Sequence, residues 1–262
     1  MILSSDHIFL PTIFVGKKML VIGASSGIGK ACAEQLAFLG ASIVATARSE
    51  AKLDQLIKAL PIDQGQRHVA VVGDWAGIDN AKGVAKAISK SYAPFDGVIY
   101  AAGNEVICST RSMSETDISQ AFDASVFGFL GLASVCASKR FWNPDGGSTV
   151  LISSIAACRG QRGMVAYAGS KSALTGALRS LAVELAPLNV RANIIACGAV
   201  ETEMHSRVLQ KLPSSAGDAY ELAHPLGVGQ TADVANTSTF LLSPGGRWIT
   251  GTELTLDGGY LA

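Results

Sequence analysis

The sequence predicts an α/β protein built on a parallel β-sheet with helices on both faces. Short apolar runs alternate with amphipathic stretches along the chain, which is the pattern of repeated β-α-β units. The apolar runs are continuous, as in strands that are buried on both faces. With 262 residues, 48% of them hydrophobic, the chain is long enough to bury a large core, and we interpret residues 1–262 as one domain.

The elements follow one another in a regular order. Short apolar runs predict strands at residues 19–22, 42–46, 69–72, 98–101, 149–152, 191–195 and 253–256. Helices are predicted between them at 30–39, 51–60, 80–91, 118–140 and 165–186. Gly40 ends the first helix as its C-terminal cap, and Pro61 stops the second. Residues 1–16 precede the first strand and are interpreted as an N-terminal extension.

Composition excludes several classes of function. The 21 basic and 21 acidic residues balance without clustering, so we expect no nucleic-acid or membrane partner. Five scattered cysteines without C-x-x-C spacing argue against a disulfide framework and a metal site, and they fit a reducing cytoplasmic location. No basic leader precedes the fold, and no run reaches the roughly 18 apolar residues of a membrane span. The expected partner is a small molecule.

A glycine-punctuated turn joins the first predicted strand to the first helix. It runs from Gly23 to Gly29, with Gly27 between them in the spacing Gly-x-x-x-Gly-x-Gly. A turn of this kind is by itself a weak signal, since it also serves as a plain tight connection. Its position after a buried strand and before a helix places backbone N–H groups and the positive helix end where a pyrophosphate binds. The turn therefore predicts a dinucleotide site.

Three polar residues in the second half carry the predicted chemistry. Tyr167 and Lys171 are four residues apart on a predicted helix and therefore share one face, and Ser154 precedes them after the fifth strand. A carbonyl that accepts hydride needs a proton donor and a second hydrogen bond at its oxygen, roles that suit Tyr167 and Ser154. We expect the Lys171 ammonium to lower the pKa of the Tyr167 phenol.

With both motifs present, the chain resembles the short-chain dehydrogenase/reductase superfamily over essentially its full length, and in particular its 3-oxoacyl-reductase-like members. Further matching motifs are Ala101-Ala102-Gly103, Asp74 after the third strand, Thr250-Gly251 and Asp257-Gly258-Gly259. The resemblance implies a single Rossmann-type doubly wound sheet of seven strands in the order 3-2-1-4-5-6-7. It also implies a homodimer or homotetramer, formed through the helices that carry Ser125 and Tyr167.

The resemblance also assigns the nicotinamide coenzyme to particular residues, with Lys171 on the ribose hydroxyls and the Val200 backbone at the carboxamide. The implied contacts are Gly23, Ser25, Ser26, Gly27, Ile28, Gly29, Arg48, Asp74, Trp75, Ala101, Ala102, Gly103, Tyr167, Lys171, Val200 and Thr202. No metal is implied.

Two positions depart from the family pattern. Ser125 stands where the family commonly has an asparagine that supports a water and a proton relay, so we count Ser125 with the catalytic residues in an altered relay. Cys197 replaces the proline that usually follows the sixth strand, which leaves the backbone there less constrained. A redox switch at Cys197 is one interpretation, and a buried inert thiol is the favoured one.

Coenzyme choice depends on the residues after the second strand. An acidic residue there binds the ribose 2′-hydroxyl of NAD(H), but this chain has Ala47 followed by Arg48. Because a guanidinium suits a 2′-phosphate, we expect NADP(H) rather than NAD(H). A second basic residue before the middle glycine, common in NADP-dependent relatives, is replaced by Ser26. The alternative for Arg48 is a solvated cation at a helix start.

Residues 203–229 occupy the position of the family's substrate lid. Apolar residues at helical spacing, Met204, Val208, Leu209 and Leu212, mix there with His205, Pro213 and Gly217, which suits a hydrophobic or mixed substrate or simple packing on the core. Asn104, Glu105 and Met164 are further candidate substrate contacts. A carrier-bound 3-oxoacyl chain, a free ketone, a polyketide-type carbonyl and a sugar all remain open. A coenzyme-binding sensor without turnover is the alternative to an enzyme.

Overall fold

The computed structural model describes residues 9–211 and 214–262. In this part of the chain seven parallel strands form one sheet in the order β3-β2-β1-β4-β5-β6-β7, which confirms the predicted fold class and order. The strands are β1 (Lys18–Ile22), β2 (Ser42–Ala47), β3 (Val69–Val72), β4 (Gly97–Tyr100), β5 (Gly147–Ser154), β6 (Val190–Cys197) and β7 (Glu253–Leu256). Residues 1–8 of the predicted N-terminal extension, and Leu212 and Pro213 of the predicted lid, lie outside the described residues.

Helices connect the strands and cover both faces of the sheet. They are α1 (Gly27–Phe38), α2 (Glu50–Ala59), α3 (Ile78–Tyr92), α4 (Glu115–Phe122), α5 (Gly128–Cys136), α6 (Val165–Leu185), α7 (Glu203–Lys211), α8 (Ser214–Leu222) and α9 (Thr231–Leu242). As predicted, α1 ends just before Gly40, whose φ of 97° is the conformation a helix-ending glycine takes.

The central strand shows why its sequence is a continuous apolar run. Val21 on β1 belongs to a core cluster with residues of α1 and α9, whereas its neighbours Leu20 and Ile22 belong to a second cluster with residues of α3, α5 and α6. Successive side chains of a strand point to opposite faces, and here each face is covered by helices. The coenzyme turn that follows β1 is therefore anchored in a fully buried strand.

The predicted long helix at 118–140 is interrupted. A π-helical turn, Asp123–Phe127, separates α4 from α5, and the helix ends at Cys136. The Tyr100 hydroxyl donates a hydrogen bond of 2.5 Å to the carbonyl of Ala124 inside this turn. Gly128 follows the turn, and a side chain there would stand 2.2 Å from the carbonyl oxygen of Trp75. Contacts with distant residues, rather than local propensity, shape this break.

One helical segment, Glu115–Cys136, is long and apolar enough by length and composition to cross a membrane. Its Phe129 and Leu132 are buried in the core cluster that also holds residues of α3 and α6. Packing against the protein's own core thus accounts for the apolar character of these side chains.

Candidate active site

A cavity of about 490 Å³ opens at the carboxyl ends of the strands. It includes the point where the strand order reverses between β1 and β4, the position at which doubly wound sheets bind their ligands. Every coenzyme contact implied by the sequence lines it, together with Ser154: Gly23, Ser25, Ser26, Gly27, Ile28, Gly29, Arg48, Asp74, Trp75, Ala101, Ala102, Gly103, Tyr167, Lys171, Val200 and Thr202. The structure therefore brings together residues that are up to about 180 positions apart in the chain.

The glycine-rich turn is built so that backbone can line the cavity. Gly23 and Gly27 have positive φ values of 81° and 51°, which L side chains rarely adopt. A Cβ on Gly29 would lie 2.2 Å from the carbonyl oxygen of Gly23, so only glycine permits this close approach. Ser26 begins α1 without a side-chain hydrogen bond to the first amides of the helix. The cradle thus fits a pyrophosphate, which backbone N–H groups and the helix dipole bind.

Two basic side chains after the end of β2 line the same cavity. Arg48 is exposed there, and Lys52 on the first turn of α2 lines the cavity beside it. Sequence reasoning missed Lys52, although its position one turn after Arg48 placed it near the same strand end. Its ammonium lies 3.4 Å from the carboxylate of Glu203 at the start of α7. Both cations fit a ligand that carries a phosphate group.

Asp74 and Trp75 close the cavity after β3. The Trp75 indole is buried and donates a hydrogen bond of 3.1 Å to the hydroxyl of Thr46. The Asp74 carboxylate accepts a 3.1 Å hydrogen bond from the amide of Ala76. Trp75 therefore forms a fixed wall of the cavity, and the exposed Asp74 presents a carboxylate at its edge.

The three residues of the predicted catalytic group meet at one side of the cavity. Ser154 and Tyr167 both line it, close enough that the Ser154 hydroxyl lowers the pKa of the Tyr167 phenol. Lys171 is buried, and its ammonium lies 5.6 Å from the centre of the Tyr167 ring. Gly103 leaves room for this ammonium, because a Cβ at Gly103 would stand 3.2 Å from the Lys171 nitrogen.

The electrostatics of this group differ from the expectation. The pKa of Tyr167 is raised to about 12, mainly by burial of the phenol. The charge of Glu105 contributes to this rise, and a hydrogen bond from Ser154 opposes it. Burial lowers the pKa of Lys171 to about 8. The expectation that Lys171 lowers the pKa of Tyr167 is therefore wrong for this arrangement. The ammonium lies near the ring, and desolvation of the phenolate outweighs the attractive effects.

Ser125 and Cys197, the two departures from the family pattern, differ in their position relative to the cavity. The Ser125 hydroxyl is buried in the π-helical turn and donates to the carbonyl of Ala121, one turn earlier. Ser125 lies behind Gly103 and does not line the cavity, so its part in a relay stays a prediction. Cys197 does line the cavity, and burial raises the pKa of its thiol to about 12, as in an inert buried cysteine.

The segment predicted as the substrate lid contains the helices α7 and α8, and residues of both helices line the cavity. Of the predicted substrate contacts, Asn104, Glu105, Met164, Met204, His205 and Val208 line the cavity, whereas Leu209 packs near Gly217. The Arg207 guanidinium donates two hydrogen bonds, of 3.0 and 3.2 Å, to the Glu105 carboxylate. Sequence reasoning missed Gln161, Arg207 and Tyr220, because no local pattern distinguishes them from surface residues.

No group of three histidine, cysteine or acidic side chains within residues 9–211 and 214–262 is arranged to hold a metal ion. The charged and polar groups at the site include the cationic side chains after β2, the Ser154–Tyr167–Lys171 group and the Glu105–Arg207 pair. A glycine-rich nucleotide cradle beside a group of serine, tyrosine and lysine side chains is typical of dinucleotide-dependent oxidoreductases.

Comparison with known proteins gives the family. The family described as enoyl-(acyl carrier protein) reductase matches residues 23–261. An uncharacterised oxidoreductase of Methylorubrum extorquens is 34% identical over 93% of this chain and 97% of its own length. A 3-oxoacyl-(acyl carrier protein) reductase of Thermotoga maritima is 31% identical over the same shares. The chain belongs to the short-chain dehydrogenase/reductase superfamily and is an oxidoreductase of that family.

Solved structures agree with this assignment. A blue fluorescent protein from a metagenomic library, in complex with NADPH, superposes with a TM-score of 0.84 at 29% identity, covering 95% of this chain and all of that one. A 7α-hydroxysteroid dehydrogenase, in complex with NADH and a 7-oxo bile acid, gives a TM-score of 0.86 at 28% identity, covering 95% and 96%. Structural relatives thus bind either nicotinamide coenzyme, and the chain is an NAD(P)-dependent family member.

Proposed function

We propose that this protein is an NADP(H)-dependent reductase that converts a ketone to a secondary alcohol, with Tyr167 as the general acid. The observation that carries the proposal is that Ser154, Tyr167 and the buried Lys171 line the same cavity as the glycine-rich turn. A reduced nicotinamide supplies the hydride when bound. The remaining chemistry belongs to the side chains of this chain.

Each side chain of this group has one task. Ser154 donates a hydrogen bond that orients the carbonyl and stabilises the developing alkoxide. With a pKa near 12, Tyr167 keeps its proton at neutral pH and gives it to the alkoxide. With a pKa near 8, Lys171 is charged at pH 7, and its ammonium binds the ribose hydroxyls of the coenzyme in this proposal. These protonation states favour the reductive direction.

The preference for NADP(H) rests on the charge at the end of β2. Arg48 and Lys52 both line the cavity there, and neither Ala47 nor Ser49 is acidic. A 2′-phosphate gains charge-assisted hydrogen bonds from such cations, whereas NAD(H) binding uses a carboxylate to hold the ribose hydroxyls.

The surface that would contact the substrate has both apolar and charged side chains, so it is compatible with several classes of carbonyl compound. Met164, Met204 and Val208 give it apolar area, and Glu105 with Arg207 gives it charge. A carrier-bound 3-oxoacyl chain, a free ketone, a polyketide-type carbonyl and a sugar are therefore the compounds to compare. Residues 203–229 act as the lid in this proposal, within one domain that spans the chain.

Assembly into a homodimer or homotetramer in the cytoplasm is part of the proposal. The helices around Ser125 and Tyr167 expose Ile118, Phe127 and Val165, apolar side chains that a helix–helix interface would cover. Light scattering in solution tests this point through a mass two or four times that of one chain. A mass of one chain would contradict it.

The decisive experiment follows NADPH absorbance at 340 nm with a panel of ketones, sugars and acyl thioesters. Turnover of at least one compound that is lost in Tyr167→Phe, while NADPH still binds this variant, supports the enzyme. NADPH binding without turnover of any compound supports the alternative, a coenzyme-binding sensor, which the hydrogen bond of the Ser125 hydroxyl to Ala121 favours. Turnover that survives in Tyr167→Phe would overturn the assigned acid.

A further inference from the structure

His224 connects two walls of the cavity without lining it. The residue lies two positions after α8 and is only 3% exposed. Its Nε2 atom is 3.0 Å from the backbone nitrogen of Ala199, and its Nδ1 atom is 2.9 Å from the carbonyl oxygen of Tyr220. Ala199 belongs to the segment 197–200 on the coenzyme side, and Tyr220 lines the cavity from α8.

The two partners fix the proton on the His224 ring. A backbone N–H only donates, so Nε2 must accept from Ala199 and carries no proton. A backbone carbonyl only accepts, so Nδ1 must hold the proton that it gives to Tyr220. The imidazole is therefore neutral, and both of its nitrogens are engaged with the backbone.

Packing leaves the ring little freedom to move. The Tyr220 ring is perpendicular to the imidazole, with 5.2 Å between the ring centres, and the centre of the Tyr260 ring lies 4.6 Å from that of the imidazole. On the side of the coenzyme segment, a Cβ at Gly198 would lie 3.0 Å from Nε2. Because this site has no spare space, displacement of the imidazole would displace the backbone of the segment.

We propose that His224 is a positioning residue, which holds the segment 197–200 against α8 and thereby sets the backbone that meets the coenzyme. The inference rests on the proposed function and on the contact that the family resemblance implies, between the backbone of Val200 and the nicotinamide carboxamide. The hydrogen bond from Ala199 to Nε2 carries this role, since it fixes the peptide unit between Gly198 and Ala199, one residue before Val200. The hydrogen bond from Nδ1 to Tyr220 anchors the ring to the lid helix.

Two substitutions separate these hydrogen bonds. In His224→Gln the amide oxygen reaches the place of Nε2 and accepts from Ala199, whereas in His224→Asn the amide nitrogen takes the place of Nδ1 and donates to Tyr220. We expect His224→Asn to weaken NADPH binding about tenfold, because it leaves the buried N–H of Ala199 without an acceptor. We expect His224→Gln to bind NADPH within about threefold of the wild type.

The measurements are the NADPH dissociation constant by titration calorimetry and the melting temperature of each variant. Each variant loses one ring hydrogen bond, so a purely structural role predicts that both bind NADPH equally weakly as their melting temperatures fall together. That result, or unchanged binding in both, overturns the inference. If His224→Asn does not fold, His224→Leu, which also lacks the acceptor, gives the same comparison with His224→Gln. A wild type that binds no NADPH refutes the proposed function, and with it this inference.

Discussion

The ammonium of Lys171 lies 5.6 Å from the centre of the Tyr167 ring, with both side chains in the interior. Burial lowers the pKa of Lys171 to about 8, so keeping it charged at pH 7 costs folding free energy. We expect Lys171→Met to be more stable than the wild type at pH 7 by about 3 kcal/mol, and to lose at least about a hundredfold in reduction rate. Urea denaturation and NADPH turnover measure the two effects.

The pH dependence of this stability difference has a definite sign. Between pH 8 and the pKa of an exposed lysine near 10.5, the unfolded chain binds more protons at position 171 than the folded chain. Wild-type stability therefore rises relative to Lys171→Met across this window, and the difference shrinks. Lys30→Met, at an exposed position on α1, serves as the control with little change. A variant less stable than the wild type at pH 7 would contradict the assigned cost of burial.

Coenzyme preference is expected to follow the charge at position 48. Arg48→Asp places a carboxylate where a 2′-phosphate is proposed to bind, so we expect the NADPH-to-NADH ratio of kcat/KM to fall by at least about a hundredfold. Arg67→Asp makes the same charge change at an exposed position outside the cavity and should leave the ratio unchanged. An unchanged preference in Arg48→Asp would remove the basis for NADP(H) specificity.

The Glu105–Arg207 pair is expected to tune the acid–base tyrosine. The charge of Glu105 raises the pKa of Tyr167, so Glu105→Gln should lower this pKa by less than about one unit. Alcohol oxidation needs the phenolate, and its acid limb in a pH–rate profile should shift to lower pH. Arg207→Gln removes the cation that faces the carboxylate and should shift the limb the opposite way. Shifts in one direction for both variants would exclude this electrostatic link.

Replacing a glycine by alanine should have opposite effects in the glycine-rich turn and on the exposed face of a helix. Gly29→Ala introduces a Cβ 2.2 Å from the carbonyl oxygen of Gly23, so we expect loss of NADPH binding and a stability loss of roughly 2–4 kcal/mol. Gly83→Ala, at an exposed position of α3 with open space around it, should stabilise the protein by up to about 1 kcal/mol. Thermal unfolding and NADPH titration compare the two. Tight NADPH binding by Gly29→Ala would disprove the close approach.

Local sequence predicted the parts of the fold that local physics controls. Continuous apolar runs such as 19–22 indicated buried parallel strands, and the glycine-punctuated turn indicated a dinucleotide cradle, in which Gly23 and Gly27 take positive φ values. The break between α4 and α5 was missed, because it depends on a hydrogen bond from Tyr100, 24 residues before Ala124. Helix propensity contains no information about such a partner.

The site, like the fold, was predictable only where neighbouring residues in the sequence determine its features. Tyr167 and Lys171 were found through their helical spacing, but the position of the ammonium near the ring, and with it the pKa of the phenol, depends on burial. Lys52 and Tyr220 reach the cavity only because the sheet order and the lid bring their helices to its rim. The residues around Tyr220 in the sequence give no sign of this proximity, whereas the position of Lys52 one turn after Arg48 did.

The cavity wall begins at Gly23 and still requires Tyr220, nearly two hundred residues later. During synthesis the N-terminal strands emerge first, yet their pocket acquires its last side only when most of the chain has left the ribosome. A fragment truncated before β6 would keep the glycine turn and lack the part of the cavity that Val200, Met204 and Tyr220 line.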